Sequence, residues 1–483
     1  MNNILTELIL EEAKTFTTPA VVVPHNEILQ QLLSEFVQMD FETLANPHKT
    51  ENFKLNTKHY LVLAIEEVLR LAKHHKWGLC KKHDFIYLFN GTYWSELDKE
   101  AFGKFLGKAA EKMGVPSFSA RYYQFKEQLY KQFLSAAYLE PTESDNRSVL
   151  INLKNGTFEI TPLGTKLRDF DRKDFLTYQL PFEYDPQAKA PIFERYLNRV
   201  LPDADSQKVL AEYLGFVFIR HGNGILKVEK ALILYGSGAN GKSVFYEIVC
   251  ALLGSENTSH YSLQSLTDKS GYYRAKIANK LVNYSSEIND KLESATFKQL
   301  VSGEPIEARL PYGDPFTLKQ YAKLVFNCNE LPKDVEHTNA YFRRFLIVPF
   351  DVTIPPHEQD KELHTKIIES ELSGVFNWVL NGLHRLLEQK RFSDCEAVQR
   401  AVTQYRIESD SVQLFLNEHG YNPDPQHQTQ LKELYTQYVA YCTESGFAKC
   451  SIQTVSKRLK NYGYTIERKP KGNVVFTQNK SLF

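Results

Sequence analysis

At 483 residues, 42% of them hydrophobic and 24% charged, the chain has room for about two to four domains and the apolar content of an ordinary soluble globular protein. Lys plus Arg and Asp plus Glu both total 58, so the formal charge is zero; this argues against a general polycation and leaves room for a locally basic channel or module. The six cysteines, Cys80, Cys250, Cys328, Cys395, Cys442 and Cys450, form no C-x-x-C pair and no zinc-spaced set, which favours free thiols in a reducing, cytoplasmic compartment over a disulfide framework.

Residues 1–16 carry Glu7, Glu11 and Glu12 and lack a basic start before an apolar core, so no signal peptide is expected. No run reaches the roughly 18 apolar residues of a membrane span, and no membrane partner is expected. Helical stretches are predicted near residues 4–16 and 26–41. Residues 60–75 place Leu61, Leu63, Ala64, Val68, Leu69 and Leu71 at helical spacing. Two short strands follow around Asn90-Gly91, then a helical region over 99–139. Residues 149–184 read as strand and turn, with Asn155-Gly156 as a second hairpin signal, and helices resume over 191–218. A strand over 226–235 ends in glycines and leads into an amphipathic helix over 242–253. Further β-rich runs at 280–285, 322–328 and 345–350 alternate with helices, which makes an α/β core. Helix returns at 358–387 and 396–408. The polar, proline-bearing stretch 420–428 reads as a linker. Two helices, at 430–444 and 451–462, and a strand–turn–strand across Gly472 close the chain.

Gly236-Ser-Gly-Ala-Asn-Gly-Lys-Ser243 satisfies the phosphate-loop pattern G-x-x-x-x-G-K-S/T between a strand and a helix. Glycines let backbone N–H groups wrap a phosphate, and the helix N-terminus adds favourable potential. Gly236, Ser237, Gly238, Ala239, Asn240 and Gly241 would form the cradle, Lys242 would meet the β- and γ-phosphates of ATP, and Ser243 would offer its hydroxyl to Mg²⁺. After such a loop a strand ending in an acid is needed, and Lys280-Leu-Val-Asn-Tyr-Ser-Ser-Glu287 offers Glu287 for metal and water.

These residues, together with Phe297-Lys-Gln-Leu-Val-Ser-Gly-Glu-Pro-Ile-Glu-Ala-Arg309, Lys323-Leu-Val-Phe-Asn-Cys-Asn-Glu-Leu-Pro332 and Phe342-Arg-Arg-Phe-Leu-Ile-Val-Pro-Phe350, resemble the poxvirus and phage/plasmid primase-helicase group within superfamily 3. Leu150-Ile-Asn-Leu-Lys-Asn-Gly-Thr-Phe158 and Phe175-Leu-Thr-Tyr-Gln-Leu-Pro181 resemble the domain that precedes the ATPase in that group. The resemblance implies an AAA+-type P-loop core and an ATP-dependent DNA helicase of 3′–5′ polarity, acting as a hexameric ring in the replication of a phage, plasmid or other mobile element. It implies that Asn329 is the polar sensor and that Arg343 or Arg344 enters a neighbouring subunit's site, without saying which. It also implies that the 298–323 segment carries a DNA-contacting hairpin, with Lys298, Arg309, Tyr312, Phe316, Lys319 and Lys323 near a pore.

Two departures stand out. Ser286 stands where the family often has a second acid or a small residue beside the strand-end Glu, so Glu287 would carry both duties, aided by Asp290. Ser302-Gly303-Glu304 replaces the family's Gly-Gly-Asp and keeps the charge and one glycine. Many relatives fuse a primase to this core. Residues 1–140 hold neither a D-x-D metal pair nor a zinc cysteine set, and Asp169-Phe-Asp171 lacks a partner motif, so any primase is expected to be a separate partner.

At the C-terminus, Ile452, Val455 and Leu459 share a helical face, leaving Lys457, Arg458 and Lys460 for phosphate, with Lys469 and Lys471 on a basic wing. The expected architecture is therefore a mainly helical region (1–140), a connector (141–225), the α/β ATPase core (226–355), a helical region (356–419) and a winged helix for duplex DNA (429–483). The rival readings are a DNA-binding initiator whose ATP site only switches assembly, and a nucleotide-gated interaction protein that never translocates.

Overall fold

The computed structural model describes residues 23–82, 85–137, 148–286, 288, 293–311, 313–332 and 335–479. The chain divides into two compact units, Met1–Glu183 and Tyr184–Phe483. The expected helix at 4–16 lies outside the described residues.

The first unit is built on four longer helices, α1 (His25–Glu35), α2 (Thr57–His74), α3 (Lys99–Lys112) and α4 (Tyr123–Ala136). The Asn56 side chain accepts from the Lys58 and His59 amides and so fixes the start of α2. Ala64, Val68 and Leu71 are buried as their spacing predicts, in one core with Leu32, Phe102, Phe105, Leu129 and Phe133. Beside this core run two antiparallel three-stranded sheets: β1 (Gly78–Lys82), β2 (Phe85–Phe89) and β3 (Trp94–Leu97), then β4 (Val149–Leu153), β5 (Gly156–Thr161) and β6 (Gly164–Arg168). Trp94 Nε1 donates to the Arg172 carbonyl at 2.9 Å, and buried Asn152 donates to the Thr92 carbonyl at 2.7 Å. These bonds join the second sheet to the first. The division between the units accordingly falls at residue 183, inside the segment 141–225 expected as one connector.

In the second unit, α5 (Pro191–Val200) and α6 (Ala204–Phe216) precede a five-stranded parallel sheet. Its strands are β7 (Ala231–Tyr235), β8 (Thr258–Ser259), β9 (Val282–Ser285), β12 (Lys323–Cys328) and β13 (Phe345–Pro349), in the order β13-β7-β12-β9-β8. Every pairing is parallel. β7 is an interior strand, flanked by β13 and β12, and its first four residues are fully buried, as a strand covered on both faces must be. Helix α7 (Lys242–Leu253) follows β7, and α8 (Ser294–Ser302) precedes a two-stranded hairpin, β10 (Ile306–Ala308) with β11 (Phe316–Leu318). A short helix α9 (Asn339–Phe342) leads into β13; α10 (Leu372–Gln389) and α11 (Glu396–Glu408) follow.

The remainder runs α12 (Ser411–Glu418), β14 (Tyr421–Gln430), α13 (Leu431–Ser445), α14 (Ile452–Asn461), β15 (Ile466–Lys469) and β16 (Gly472–Asn479). The stretch expected as a linker is instead strand β14, at the edge of a sheet ordered β14-β16-β15. An edge strand accommodates Pro423 and Pro425 because it leaves half of its N–H positions unpaired. The pairing register breaks between Pro423 and Gln428, where Asp424 folds the chain back by accepting from the Gln426 amide. The expected boundary at 429 therefore moves towards the N-terminus: Val412, Phe415 and Tyr421 share one core with Leu434, Tyr438, Val455, Leu459 and Val475.

Candidate nucleotide and nucleic-acid site

Residues 236–241 form a loop at the carboxyl end of β7, the strand flanked by β13 and β12. Neighbouring elements anchor it: Tyr196 Oη donates to the Gly241 carbonyl at 2.9 Å, Asn240 Nδ2 to the Phe350 carbonyl at 2.9 Å, and the Ile354 amide to Ala239 at 2.8 Å. Gly241 sits at φ +86°, and a Cβ there would lie 2.6 Å from Val200 Cγ1, so the turn into α7 admits only glycine. Lys242 Nζ donates to the Gly236 carbonyl at 2.6 Å and to Asn240 Oδ1 at 3.0 Å. Its partners are neutral oxygens, and burial lowers its pKa from the usual lysine value. Ser237, Ala239 and Ser243 are exposed along the loop, and Gly236, Gly238, Asn240 and Gly241 complete it. The Ser243 hydroxyl makes no hydrogen bond to any described residue, so it suits a small hard cation at the mouth of the loop.

β9 and β12 end at the same edge of the sheet. Tyr284 Oη donates to Asn327 Oδ1 at 2.9 Å, and Asn327 Nδ2 reaches the Lys242 carbonyl at 3.5 Å, a link that sequence reasoning missed. Asn329 is exposed just beyond the end of β12. Glu287 and Asp290 lie outside the described residues; Ser286 is exposed at the end of β9. Two further acids belong to this edge, Glu330 and Asp351. Burial first, and then the charges of Glu408, Asp351 and Glu330 together with Cys328, raise the Tyr235 pKa.

The two arginines stand at the opposite end. β13 pairs with β7 from Phe345↔Ala231 to Pro349↔Tyr235, so Arg343 and Arg344 precede the amino ends of the strands. The loop lies at the other end of β7, roughly 13 Å away along the strand alone. Neither arginine serves its own chain's loop. Arg344 is buried: Nη1 donates to the Ala340 carbonyl, and Nη2 lies 3.0 Å from both Ser302 Oγ and Glu229. It is a structural pillar rather than a free guanidinium. The Arg343 side chain is 57% exposed, with Nη2 2.9 Å from Glu229.

The 298–323 segment forms a hairpin, β10 with β11, and its turn includes Tyr312, which lies outside the described residues. Of the cations expected to surround the turn, only Lys319 is exposed. Lys298 pairs with Glu336 at 2.8 Å; that bond and one from Ser294 hold the Glu336 carboxyl down at about 2. Arg309 donates to Tyr272 Oη at 2.8 Å and lies over that ring. Phe316 is half-buried against the main core. Lys323 is buried outright, with Nζ 2.9 Å from His221 Nδ1 and 4.3 Å from the centre of the Phe216 ring. Burial pushes it down to about 7. Of the four cations expected near the turn, Lys298 is paired with Glu336, Arg309 is tied to Tyr272 and Lys323 is buried, so Lys319 alone stays exposed.

In the C-terminal module, α14 buries Val455 and Leu459 and leaves Lys457 and Lys460 exposed beside an open groove that also contains Gln453 and Asn473. Arg458 turns inward instead, Nη1 lying 2.9 Å from Asp410 Oδ1. Buried Asp410 also accepts from the Val412 and Gln413 amides and from Tyr462 Oη. Lys469 donates to Gln428 Oε1 at 2.5 Å, and Lys471 is exposed on the turn between β15 and β16. In the first unit Asp171 accepts from the Lys173 amide and caps a short turn; Asp169 is exposed nearby. Among the described residues no group of three or more His, Cys, Asp or Glu is placed to hold a metal, and no helix is long and apolar enough to cross a membrane.

Comparison with known proteins adds an independent line. Residues 66–202 match a family described as D5 N terminal like, and residues 234–344 match a family of unknown function (DUF5906). The chain is 24% identical over 242 residues to a putative helicase of Acanthamoeba polyphaga mimivirus, covering 47% of this chain and 24% of that protein. It is 23% identical over 333 residues to a putative helicase of Invertebrate iridescent virus 3, covering 61% of this chain and 35% of the relative. The chain thus spans about a quarter to a third of the length of these relatives and is similar to viral helicase-like proteins. Two apo structures of the NrS-1 C-terminal region align with 86% of this chain and with 98% and 100% of their own, at 12% identity and TM-scores of 0.46 and 0.47.

Proposed function

We propose that the protein is an ATP-driven DNA helicase of the superfamily 3 kind, working as a ring. The observation that carries this reading is the loop 236–241, set between the interior strand β7 and the N-terminus of α7 at the carboxyl edge of an all-parallel sheet. Backbone N–H groups there, with the end of the α7 dipole, favour a phosphate. Lys242, now held by two neutral oxygens, would exchange them for phosphate oxygens. Ser243 would hold Mg²⁺ with Glu287, and the ion would neutralise charge on the β- and γ-phosphates. Asn329 would orient the attacking water. Because Arg343 is exposed at the far end of the sheet, it would complete a neighbouring subunit's site and stabilise charge on the transferring phosphoryl group.

Helix α12, strand β14, helices α13 and α14 and the β15–β16 hairpin follow the order of a winged helix, with Lys457, Lys460 and Lys471 offered to duplex phosphates and Lys469 beside them. Lys319 on the β10–β11 hairpin would meet the translocating single strand. A strand-displacement assay with ATP and with a non-hydrolysable analogue tests the reading. Strand release with ATP alone is expected. ATP hydrolysis without strand release, on forked substrates with either free end, would favour an assembly-switching initiator instead.

A further inference from the structure

The first unit carries a surface that the nucleotide site does not use. Between residues 99 and 131 the sequence holds seven Lys and Arg against three Glu, within a chain of zero net charge. This stretch covers α3, the short helix Ser117–Arg121 and the start of α4. Its aromatic residues differ in burial, with Tyr130 half-buried against the core. Phe102, Phe105 and Phe125 are buried in the core, whereas Phe118 is 95% exposed, Tyr123 57% and Tyr122 51%. Three rings within six residues thus face solvent around the junction of the Ser117–Arg121 helix and α4.

The exposed rings are set among cations. Gly107 on α3 packs against the Ala120 carbonyl and the stem of Lys126, which brings α3 against the 117–121 helix. Lys108 is the next residue on α3 and is exposed. Arg121 is 71% exposed and forks onto Glu111, which also accepts from Ser117. The Tyr122 and Tyr123 rings meet edge to face, with centroids 5.0 Å apart and planes at 66°, so they present flat faces in different directions.

We propose that this face, centred on Phe118, Tyr122 and Tyr123, binds single-stranded nucleic acid. Flat exposed rings offer stacking surfaces to unpaired bases, and Lys108 and Lys126 offer charge to the phosphates beside them. Duplex bases are already stacked on each other and cannot use such rings. The surface belongs wholly to the first unit, and its binding does not require the nucleotide loop to hydrolyse anything.

The test uses the full chain, with circular dichroism to verify that each variant is folded. Anisotropy of a labelled oligo(dT) is compared with that of a strand of equal length made of abasic sites. F118A/Y123A should weaken oligo(dT) binding about tenfold or more and leave abasic binding unchanged, because stacking alone is removed. K108Q/K126Q should weaken both probes and lower the log–log salt slope by about 0.7 for each phosphate that is no longer neutralised. Equal affinity of wild type and F118A/Y123A for oligo(dT) would overturn the proposal, as would a wild type that fails to distinguish dT from abasic strand. If wild type self-associates by sedimentation without DNA and F118A/Y123A does not, the face docks protein instead. A K242A variant assayed in parallel separates the two readings: if it keeps the dT preference without hydrolysing ATP, the surface stands whatever the fate of the helicase assignment.

Discussion

At the carboxyl end of the parallel sheet, Lys242 is held by a carbonyl and an amide oxygen, next to exposed Ser243. At the amino end, Lys323 is walled in by His221 and Phe216 and has no anionic partner among the described residues. Burial lowers both pKa values, yet the two ends use their cations differently. The carboxyl end keeps a cation held by neutral oxygens, which in the proposed function it would exchange for phosphate oxygens. The amino end seals Lys323 and Arg344 into the fold and leaves Arg343 exposed. Burial and partners, more than residue type, separate an available cation from a structural one.

That contrast is breakable by substitution. Lys242→Ala should reduce ATP hydrolysis to background with little change in melting temperature, since only loop oxygens lose a partner. Arg343→Ala should cost about a thousandfold in hydrolysis, the lower range for such an arginine, again in a stable protein. Steady-state hydrolysis alongside thermal melts checks both; a large drop in melting temperature for either would erase the distinction between the two ends. Arg344→Ala should do the reverse and destabilise by about 3 kcal/mol in denaturant titrations, because it strips a buried cation from Ser302 and Glu229.

Lys323 gives a pH-dependent sharpening. Its folded pKa of about 7 lies well below the roughly 10.4 of a free lysine. Between those values the unfolded chain binds a proton that the folded chain does not, so this group makes stability rise with pH across the window. Lys323→Met should therefore gain most over wild type near pH 7 and below, and the gain should shrink towards pH 10. A gain independent of pH would mean that the ammonium is not held down by burial. The smallest effect is expected at Lys298→Ala: its pair with Glu336 is about one-third exposed and should be worth no more than about 1 kcal/mol.

The sequence was most legible where local pattern decides structure. The strand, glycine loop and helix around Lys242 need only neighbouring residues, and the predicted helix 242–253 is the helix observed. Strands β9, β12 and β13 were legible as β-branched and aromatic runs. β14 was not, because two prolines and a run of polar residues mask an edge strand whose pairing comes from β16, about fifty residues further on. The fate of the cations was hidden for the same reason. Lys298 finds Glu336 38 residues away, and Arg458 finds Asp410 48 residues away. Buried Glu371 caps α5 by accepting from the Ile192 and Phe193 amides, nearly 180 residues distant. No spacing rule announces such partners.

Arg343 stands at the far end of its own sheet, and in the proposed ring it would act on a neighbour's loop. Mixing K242A with R343A tests this most directly. Each variant alone should be inactive. In a 1:1 mixture an interface is complete when an R343A subunit supplies the loop and a K242A subunit supplies the arginine, so hydrolysis should recover towards about a quarter of wild type. A mixture as inactive as its two components, under conditions where mixed oligomers are shown to form, would contradict action between subunits and with it the ring.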